Sequence, residues 1–425
     1  MCGTVSTKLS VNNMKLSEEL KERGFIYQSS AEDVSEILDG EKRTVYLGID
    51  PTADSIHVGN LVPYMLLNRL MLAGHKVILL MGGGTALIGD PGGKSEERPF
   101  VEPEVIAQQA AKMEFGIRKF VSGDVEFVNN YDWLSKISMM EYLRDIGKHF
   151  TVNAMIKKDI VANRLTDDNS ISYTEFSYSL LQGYDYYHLH THYGCDLQIG
   201  GSDQWSNILA GVDFVRRKTG DTVYALTIPL VVDKATGKKF GKSEGNAIWL
   251  DAEKTTPYAL YQFWLNTSDD SVIDYLKLFT FLTLDEVAQI EKEHDENPGA
   301  RKAQKRLAAE VTSFVHGEED MKAVERASAA LFGEVSFGEL SDGEIEMVKE
   351  NAPSCTVSAD TLLVDVLVES GLATSKREAR TFIEGGAVQI NGDKVEGVEA
   401  VIIQSAGESF LLKRGKKSLC VVEVG

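Results

Sequence analysis

The amino-acid sequence predicts an α/β protein that begins with a parallel sheet and continues into helices and a small C-terminal α+β unit. In about the first 250 residues, short apolar runs alternate with longer amphipathic stretches. Strand-like runs are missing from about residue 256 to 349, and roughly 70 residues then follow Pro353, a length that can fold alone. Alternating strands, glycine turns and helices are typical of a parallel sheet, which binds ligands at the carboxyl ends of its strands.

The predicted sheet rests on three apolar runs. Residues 45–49, 77–81 and 196–199 are short, apolar and followed at once by polar or glycine-rich residues, which favours buried strands. Between them, residues 61–72 and 103–115 have the spacing of amphipathic helices.

The middle of the chain is predicted to be helical. Periodicity and propensity indicate helices over 269–281, 284–294 and 299–316, with a break at Asn297-Pro298-Gly299. Residues 338–353 are acidic and contain glycine and serine, which indicates a linker. The predicted domains are therefore 1–250, 251–349 with a linker to about 354, and 355–425.

The composition is that of a soluble globular protein. Of 425 residues, 43% are hydrophobic and 25% are charged, which excludes disorder over most of the chain. The 44 basic and 64 acidic residues give a net charge of −20, which argues against non-specific polyanion binding but leaves room for a local basic patch. The four cysteines have no paired spacing, and no targeting pattern or uncharged segment of membrane-spanning length is found, so we expect a cytoplasmic protein.

A glycine-rich loop that runs from Gly82 to Lys94 is the first candidate for phosphate binding. It does not match the dinucleotide fingerprint, because Leu87 stands where the third glycine is required. It does not match a Walker loop either, because Ile88 occupies the glycine position six residues before Lys94. By itself, the loop is equally compatible with a simple turn over the sheet.

The second candidate is the segment 50–60, which leads into the first predicted helix. Asp54 and Ser55 are residues of N-cap type and place His57 and Gly59 near the helix N-terminus, where free N–H groups can receive a phosphate. A neutral His57 can donate one hydrogen bond to a phosphate oxygen, and Gly59 leaves room for a nucleotide ring. The alternative is that His57 is only a polar turn residue.

The third candidate is the loop 238–243, in which Lys239 and Lys242 are separated by two residues beside a glycine. Two cations on a loop suit a charge that develops only in a transition state. The alternative is a solvated basic turn.

These elements together resemble the class I aminoacyl-tRNA synthetases. The H-x-G-x element at His57 and the K-x-x-K-S element that ends at Ser243 lie about 180 residues apart, which is the two-part signature of that class. Residues 45–57, 87–94, 173–185 and 197–205 narrow the resemblance to the bacterial tyrosyl-tRNA synthetases, and it extends over essentially the whole chain. It implies a Rossmann-like catalytic domain, an α-helical tRNA-binding domain and an S4-like RNA-binding domain.

The resemblance also implies a reaction and its substrates. Such an enzyme activates L-tyrosine with ATP and Mg²⁺ to tyrosyl-adenylate and pyrophosphate, and then transfers the tyrosyl group to the 3′ end of tRNA(Tyr). Tyr46 and Asp185 match the residues that bind the substrate phenol, and Asp90, Tyr178 and Gln182 match those that hold the ammonium. Gln204 matches a residue near the carboxylate and the α-phosphate.

For ATP, the resemblance implies a second set of residues. These are Thr52 and His57 at the phosphates, Asp50 and Gly59 around the nucleotide, Asp203 at the ribose, and Lys94, Arg98, Lys239 and Lys242 on two loops that close on the pyrophosphate. Asn60 stands where many relatives have a second histidine, and Leu47 replaces a residue that is polar in some of them. No metal bound tightly by the protein is implied.

The C-terminal unit contains a predicted basic helix face. Ser375 to Glu378 has the pattern of a capping box, and the helix that follows places three basic residues on one face. A hairpin with an Asn391-Gly392 turn and a second basic cluster come next. The unit resembles the S4 RNA-binding domain, and the candidate RNA-contact residues are Lys376, Arg377, Arg380, Lys413, Arg414, Lys416 and Lys417. The alternative is a solvated helix face.

Three further interpretations complete the predictions. His188, His190 and His192 alternate, so a strand would place them on one face, but ligand spacing elsewhere does not support a metal site there. A tryptophanyl-type enzyme and a catalytically inactive RNA-binding protein are the competing functions. The resemblance implies a homodimer whose interface lies in an insertion at roughly residues 121–159.

Overall fold

The computed structural model describes residues 14–92, 101–121, 123–158, 161–162, 165, 170–232, 240, 242–243, 246–332, 334–395, 397–402, 407–415 and 418–425. The chain divides into two compact units. One consists of Met1–Thr255 with Leu265–Glu310, and the other of Thr256–Trp264 with Val311–Gly425. The three predicted domains stay a prediction.

A six-stranded sheet organises the first unit. Its strands are β1 Gln28–Ser29, β2 Thr44–Ile49, β3 Lys76–Met81, β4 Val125–Asn129, β5 Leu197–Gly201 and β6 Tyr224–Ile228. They lie in the order β1-β6-β5-β2-β3-β4, and all neighbours are parallel except β1, which pairs antiparallel with β6. The three predicted strands are β2, β3 and β5, so the predicted fold class is confirmed.

The helices of the first unit connect these strands. In chain order they are α1 Leu16–Glu22, α2 Ser35–Leu38, α3 Leu61–Leu72, α4 Pro103–Ile117, α5 Tyr131–Leu134, α6 Met139–Glu141, α7 Val152–Ile156, α8 Tyr173–Tyr193 and α9 Trp205–Thr219. A π-helical turn spans Tyr142–Ile146, and 3-10 turns span Val58–Asn60, Thr85–Leu87, Gly147–His149 and Ser202–Gln204. In the sheet, β3 lies on one side of β2 and β5 lies on the other. The strand order therefore reverses at β2, and sheets of this kind bind ligands at such a point.

Both faces of the sheet are buried at the centre of this unit, as is typical of parallel sheets. In β3, residues Val77 to Met81 are all buried, and α3 buries nine of its twelve residues. Two of the buried α3 residues are polar, and both are satisfied by carbonyls: Asn68 donates to Tyr64 and Phe120, and Arg69 donates to Met65 and Thr280. Asn68 and Arg69 therefore tie α3 to the segments that contain Phe120 and Thr280.

Helices follow the sheet, as predicted. They are α10 Pro257–Leu265, α11 Asp269–Phe279, α12 Leu284–Glu296, α13 Lys302–His316, α14 Glu318–Phe332 and α15 Asp342–Asn351, with 3-10 turns at Pro298–Ala300 and Phe337–Glu339. The predicted break at 297–299 is present. The stretch 338–353 is not simply a linker, because α15 fills most of it. Ser341 and Glu344 form a capping box that starts this helix, and Val348 is fully buried.

A second sheet forms the C-terminal α+β part. Its strands are β9 Ser354–Val357, β10 Val388–Ile390, β11 Asp393–Lys394, β12 Ser409–Arg414 and β13 Ser418–Val424, in the order β11-β10-β12-β13-β9. Helices α16 Leu363–Glu369 and α17 Lys376–Glu384 accompany it. The predicted hairpin is present, with Asn391 at φ 50° and Gly392 at φ 98°, the left-handed pair that a two-residue hairpin turn prefers.

The cap of α17 differs from the predicted box in one contact. The Ser375 hydroxyl accepts from the Glu378 N–H as expected. The Glu378 carboxylate, however, accepts from the N–H and hydroxyl of Thr374 rather than from the Ser375 N–H.

In the described part of the chain, no helix is both long and apolar enough to span a membrane.

Candidate active site

Asp50 organises the carboxyl end of β2. Its Oδ1 accepts a hydrogen bond of 2.7 Å from Thr85 Oγ1, and its Oδ2 accepts one of 2.8 Å from Tyr178 Oη. A Cβ added at Gly82 would collide with Asp50 Oδ1 and crowd Thr85 Oγ1. The glycine turn after β3 is therefore needed for the close approach of three elements.

Tyr46 and Asp185 form the deepest part of the site. Tyr46 lies in β2 and is 1% exposed, and its Oη is buried without a hydrogen-bond partner. Asp185 lies on α8 and is also 1% exposed. Burial raises the pKa of Tyr46, and the negative charge of Asp185 raises it further. Tyr46 lies in the same buried cluster as Trp133, the residue that donates a hydrogen bond to Asp185. The sequence predicted this pair, and the structure brings it together.

The carboxylate of Asp185 is held by two residues that the sequence analysis did not identify. Trp133 Nε1 donates to Oδ1 at 2.7 Å, and Asn130 Nδ2 donates to Oδ2 at 2.9 Å. Asn130 is itself fixed, because its Oδ1 accepts from the Gly84 N–H at 2.7 Å. Burial raises the pKa of Asp185 to about 7, although both hydrogen bonds oppose this change.

A signal for Asn130 was present in the sequence. The alternating run 125–129 forms β4, a strand that the sequence analysis did not predict, and Asn130 follows it directly. The rule that placed Asp50 at a strand end would have placed Asn130 at the same edge. Trp133 carried no comparable signal, since its role depends on the fold of α5.

Asp90 marks a second part of the site. It is 9% exposed, and its carboxylate accepts from the Gly92 N–H at 2.9 Å and from Gln204 Nε2 at 2.7 Å. Tyr178 and Gln182 are one helical turn apart on α8, and Asp185 follows less than a turn later, so the three share a face. The Oε1 atom of Gln182 is buried without a partner. A carboxylate and an orphaned amide oxygen together suit a bound ammonium group.

His57 caps the turn that precedes α3. Its Nδ1 accepts from the Gly59 N–H at 3.0 Å, which places the proton of the neutral ring on Nε2. The cap is therefore His57, and not Asp54 or Ser55 as predicted; Asp54 instead pairs with Lys254. A Cβ at Gly59 would lie 2.8 Å from the Phe240 carbonyl oxygen and 2.9 Å from His57 Cε1. This crowding requires glycine even without a nucleotide.

The structure describes some of the other predicted ATP residues. Thr52, Asn60 and Asp203 are exposed, and the Asn60 Oδ1 accepts from the His57 N–H at 3.3 Å. Leu47 is buried within the sheet. Lys94, Arg98 and Lys239 lie outside the described residues. The backbone of Lys242 and Ser243 forms β7, which pairs antiparallel with β8 Asn246–Ala247.

The structure separates the predicted RNA-contact residues into two groups. Arg377 and Arg380 are exposed on α17, and Lys376 is exposed but pairs with Asp365 at 2.6 Å. Lys413 is only 8% exposed. Arg414 donates to the Leu372 carbonyl and to Ser418 Oγ, so it ties β12 to β13 and to the turn between α16 and α17. Lys416 and Lys417 lie outside the described residues.

The three alternating histidines lie on a helix and not on a strand. His188 and His192 stack at 4.1 Å between ring centroids, as residues four apart on α8 do, while His190 bonds to the Cys195 carbonyl and Asp221. His188 and His192 line an open cleft of about 1070 Å³ that also borders Trp133 but not Tyr46, Asp90 or Gln182. The described residues contain no group of three His, Cys, Asp or Glu placed to hold a metal ion.

Two family models match the chain. Residues 38–333 match the family described as tRNA synthetases class I (W and Y). Residues 344–422 match the tyrosine–tRNA ligase SYY-like C-terminal domain. The two matches together include parts of both compact units.

Known proteins match the chain over nearly its full length. The tyrosine–tRNA ligase of Staphylococcus haemolyticus is 48% identical over 421 residues, which is 96% of this chain and 98% of that protein. The tyrosine–tRNA ligase 1 of Bacillus cereus is 45% identical over 420 residues, which is 96% of this chain and 100% of that protein. A crystal structure of a C-terminally truncated mitochondrial tyrosyl-tRNA synthetase from Aspergillus nidulans is 32% identical, with a TM-score of 0.68, and covers 75% of this chain and 94% of its own.

Proposed function

The chain belongs to the tyrosine–tRNA ligases of the class I tRNA synthetases, and from this membership we propose that it joins L-tyrosine to tRNA(Tyr) in two steps. In the first step, the tyrosine carboxylate attacks the α-phosphorus of ATP in line, and pyrophosphate leaves. In the second step, a ribose hydroxyl of the terminal adenosine of the tRNA attacks the tyrosyl carbonyl, and AMP leaves.

The buried pair Tyr46 and Asp185 is the observation that carries this proposal. Tyr46 Oη has no partner in the protein, and Asp185 has two donors but can accept further hydrogen bonds. A substrate phenol would accept from Tyr46 and donate to Asp185. Phenylalanine would leave Tyr46 Oη buried and unpaired and would offer Asp185 no further donor, which is unfavourable. An indole has a single N–H donor and no acceptor for Tyr46, so the pair favours tyrosine over tryptophan.

The ammonium of the substrate would bind at Asp90. Gly92 and Gln204 fix the orientation of this carboxylate, and the orphaned Gln182 Oε1 provides a second acceptor. A buried ammonium needs a paired charge, which Asp90 supplies. Tyr178 is tied to Asp50, so the face of α8 that carries Gln182 and Asp185 is anchored to the end of β2.

Catalysis of the first step rests on position and charge, because the attacking group belongs to the substrate. His57, with its proton on Nε2, would donate to an ATP phosphate from the start of α3, where free N–H groups also favour an anion. Lys94, Arg98, Lys239 and Lys242 would stabilise the charge that grows on the leaving pyrophosphate. Asp50, Thr52, Gly59, Asn60 and Asp203 would surround the nucleotide.

Mg²⁺ would accompany ATP rather than occupy a site of its own. Mg²⁺ commonly binds through substrate phosphates with only one or two protein carboxylates. Its contribution would be to neutralise charge on the phosphates.

Two basic surfaces support tRNA binding. Arg216, Arg217 and Lys218 end α9 and are exposed, and Arg217 donates to the carbonyl of His149, beside exposed Lys148. This cluster was not among the predicted RNA-contact residues. In the other unit, Arg377 and Arg380 face solvent on α17, as the S4-like interpretation requires. On a chain with a net charge of −20, such clusters attract phosphate backbone locally.

A homodimer is also part of the proposal. Met139 and Met140 are 76% and 72% exposed, and Leu143, Val152 and Tyr173 are at least half exposed. Exposed apolar side chains this numerous within one stretch are typical of a protein interface. They lie in or next to the predicted insertion at 121–159. We expect light scattering to give the mass of two chains. We also propose that the protein acts in the cytoplasm.

The function is tested by ATP–pyrophosphate exchange with tyrosine, tryptophan and phenylalanine, followed by charging of tRNA(Tyr). We expect exchange with tyrosine alone. Exchange with tryptophan would favour the tryptophanyl-type enzyme. If no amino acid supports exchange while the protein still binds tRNA, the inactive RNA-binding protein is the better description.

A further inference from the structure

His188 lies flat against the indole of Trp133. The centroids of the two rings are 4.2 Å apart and the ring planes are inclined by only 14°, which is a stacked arrangement. The same indole donates its Nε1–H to Asp185 Oδ1 at 2.7 Å. His188 therefore contacts the donor that holds the proposed phenol-binding carboxylate.

The indole of Trp133 meets two side chains of α8 in two different ways. Asp185 and His188 are three residues apart on α8, so they lie on the same side of that helix. Trp133 belongs to α5 and contacts Asp185 with the edge of its ring and His188 with the face. A single hydrogen bond directs the N–H but leaves the indole able to turn about that bond. The stack removes this freedom because it fixes the plane of the ring.

A second histidine holds the first. The His192 ring stacks on His188 with centroids 4.1 Å apart and planes inclined by 19°, and His192 Nδ1 lies 3.0 Å from the His188 carbonyl oxygen. Two rings cannot share one face of an imidazole at these distances, so His188 lies between His192 and Trp133. The three rings form a continuous stack that leads from exposed His192 to Trp133, which is 8% exposed.

The His188 ring is neutral at physiological pH. Burial lowers the pKa of His188 to about 4, and the neighbouring His192 contributes to this change. A neutral imidazole can pack on an indole without the cost of taking a charge out of water. The stack is therefore compatible with the conditions under which the enzyme would work.

The stack lies outside the proposed amino-acid pocket. His188, His192 and Trp133 line the open cleft that does not include Tyr46. Resting on the proposed function, we propose that His188 is a positioning residue for the substrate tyrosine: it fixes the plane of the Trp133 indole and so directs the indole N–H at Asp185. His188 would act on the substrate phenol only through Trp133 and Asp185. The competing explanation is that His188 merely fills space beside Trp133.

The test is a double-mutant cycle measured by ATP–pyrophosphate exchange with tyrosine. Its variants are His188→Leu, which removes the ring, Trp133→Phe, which removes the N–H donor, and the combination of the two. We expect His188→Leu to raise the KM for tyrosine about 3-fold or more, which is the effect of losing a stacked aromatic pair. In the Trp133→Phe background the same change should add nothing, because the donor that His188 positions is already absent.

A rescue variant and a matched control separate positioning from space filling. His188→Phe keeps a flat ring and should restore a KM for tyrosine near that of the wild type, while the KM for ATP and kcat stay unchanged in every His188 variant. His190→Gln is the control, because His190 lies on the same helix but bonds to Asp221 and the Cys195 carbonyl. If His188→Leu does not fold, His188→Gln, which also lacks a ring, replaces it in the cycle.

Four results would overturn the assignment. They are an unchanged KM for tyrosine in His188→Leu, an equal effect of that change in both backgrounds, a loss in His188→Phe as large as in His188→Leu, and a parallel rise in the KM for ATP. If the wild type exchanges pyrophosphate with tyrosine and one of these results is found, only this inference fails. If the wild type exchanges with no amino acid, the proposed function fails and this inference fails with it.

Discussion

Trp133 Nε1 lies 2.7 Å from Asp185 Oδ1 and donates a hydrogen bond to it. This contact joins the short helix after β4 to the middle of α8, two elements 52 residues apart in the chain. It fixes the carboxylate that would receive the substrate phenol, although Trp133 itself touches no substrate in the proposed complex. Trp133 is therefore a positioning residue, and its effect should be seen in substrate affinity and selectivity.

Trp133→Phe should raise the KM for tyrosine about 10-fold or more, because a hydrogen bond to a charged group contributes about 1.5–3 kcal/mol. Phenylalanine keeps an aromatic ring at this position, so the fold should persist. The measurement is pyrophosphate exchange over a range of tyrosine concentrations. Tyr131→Phe, on the same helix at an exposed position, is the matched control. An unchanged KM in Trp133→Phe would show that Asn130 alone positions the carboxylate.

Tyr46→Phe should lower the selectivity for tyrosine over phenylalanine without lowering the stability of the ligand-free protein. Tyr46 Oη is buried without a partner, so its removal should leave the ligand-free protein as stable as the wild type or slightly more stable. Discrimination between tyrosine and phenylalanine should fall several-fold, since a hydrogen bond worth about 1 kcal/mol is lost only with tyrosine. Thermal unfolding and exchange with both amino acids test this. A destabilised variant with full discrimination would contradict the proposed role.

Asp185 should make the protein less stable as the pH rises. Its pKa is about 7 in the folded protein and near 3.8 when unfolded, so between these values the folded state binds more protons. The stabilisation from protonated Asp185 is complete below pH 3.8 and is lost as the pH passes through 7. Asp185→Asn cannot titrate, so its stability relative to the wild type should increase by about 1 kcal/mol or more between pH 4.5 and pH 8. Urea unfolding at several pH values measures this, and a constant difference would argue against the raised pKa.

Gly59→Ala should disturb the turn before α3. The new Cβ would lie 2.8 Å from the Phe240 carbonyl oxygen, so the turn or the segment of Phe240 must move. We expect a loss of about 1–3 kcal/mol in the free energy of unfolding and a raised KM for ATP. Gly343→Ala, where an added Cβ meets no atom within 4 Å, is the control and should be neutral or stabilising. Equal behaviour of the two variants would show that the turn adapts.

Lys242→Ala should lower the rate of tyrosyl-adenylate formation about 100-fold with little change in tyrosine affinity, because its charge would act in the transition state. Single-turnover kinetics and equilibrium binding of tyrosine measure the two effects separately. Lys292→Ala, at an exposed position of α12, is the control. If tyrosine binding weakens while the rate constant stays the same, Lys242 serves the ground state instead.

Local patterns predicted those elements whose stability is local. The apolar runs of β2 and β3, the helix Leu61–Leu72 and the Asn391-Gly392 turn all agree with the structure. The spacing of the three histidines did not indicate their secondary structure, because residues that alternate along the chain would share one face of a strand. The whole segment Tyr173–Tyr193 is instead a continuous helix that Ser172 caps. The segment 338–353 misled for a related reason: its glycine and acidic residues conceal a capping box that starts a helix.

The sequence by itself predicted the fold class from its alternating apolar runs, and its resemblance to the tyrosyl-tRNA synthetases implied Tyr46, Asp90 and Asp185 as site residues. Only the tertiary structure decided which groups support them. Asn130 and Trp133 contact Asp185 because distant segments are packed together there, and burial alone makes an orphaned hydroxyl or amide oxygen informative. The burial of a polar atom and its hydrogen-bond partners depend on how distant elements pack together, and no single stretch of sequence contains that information.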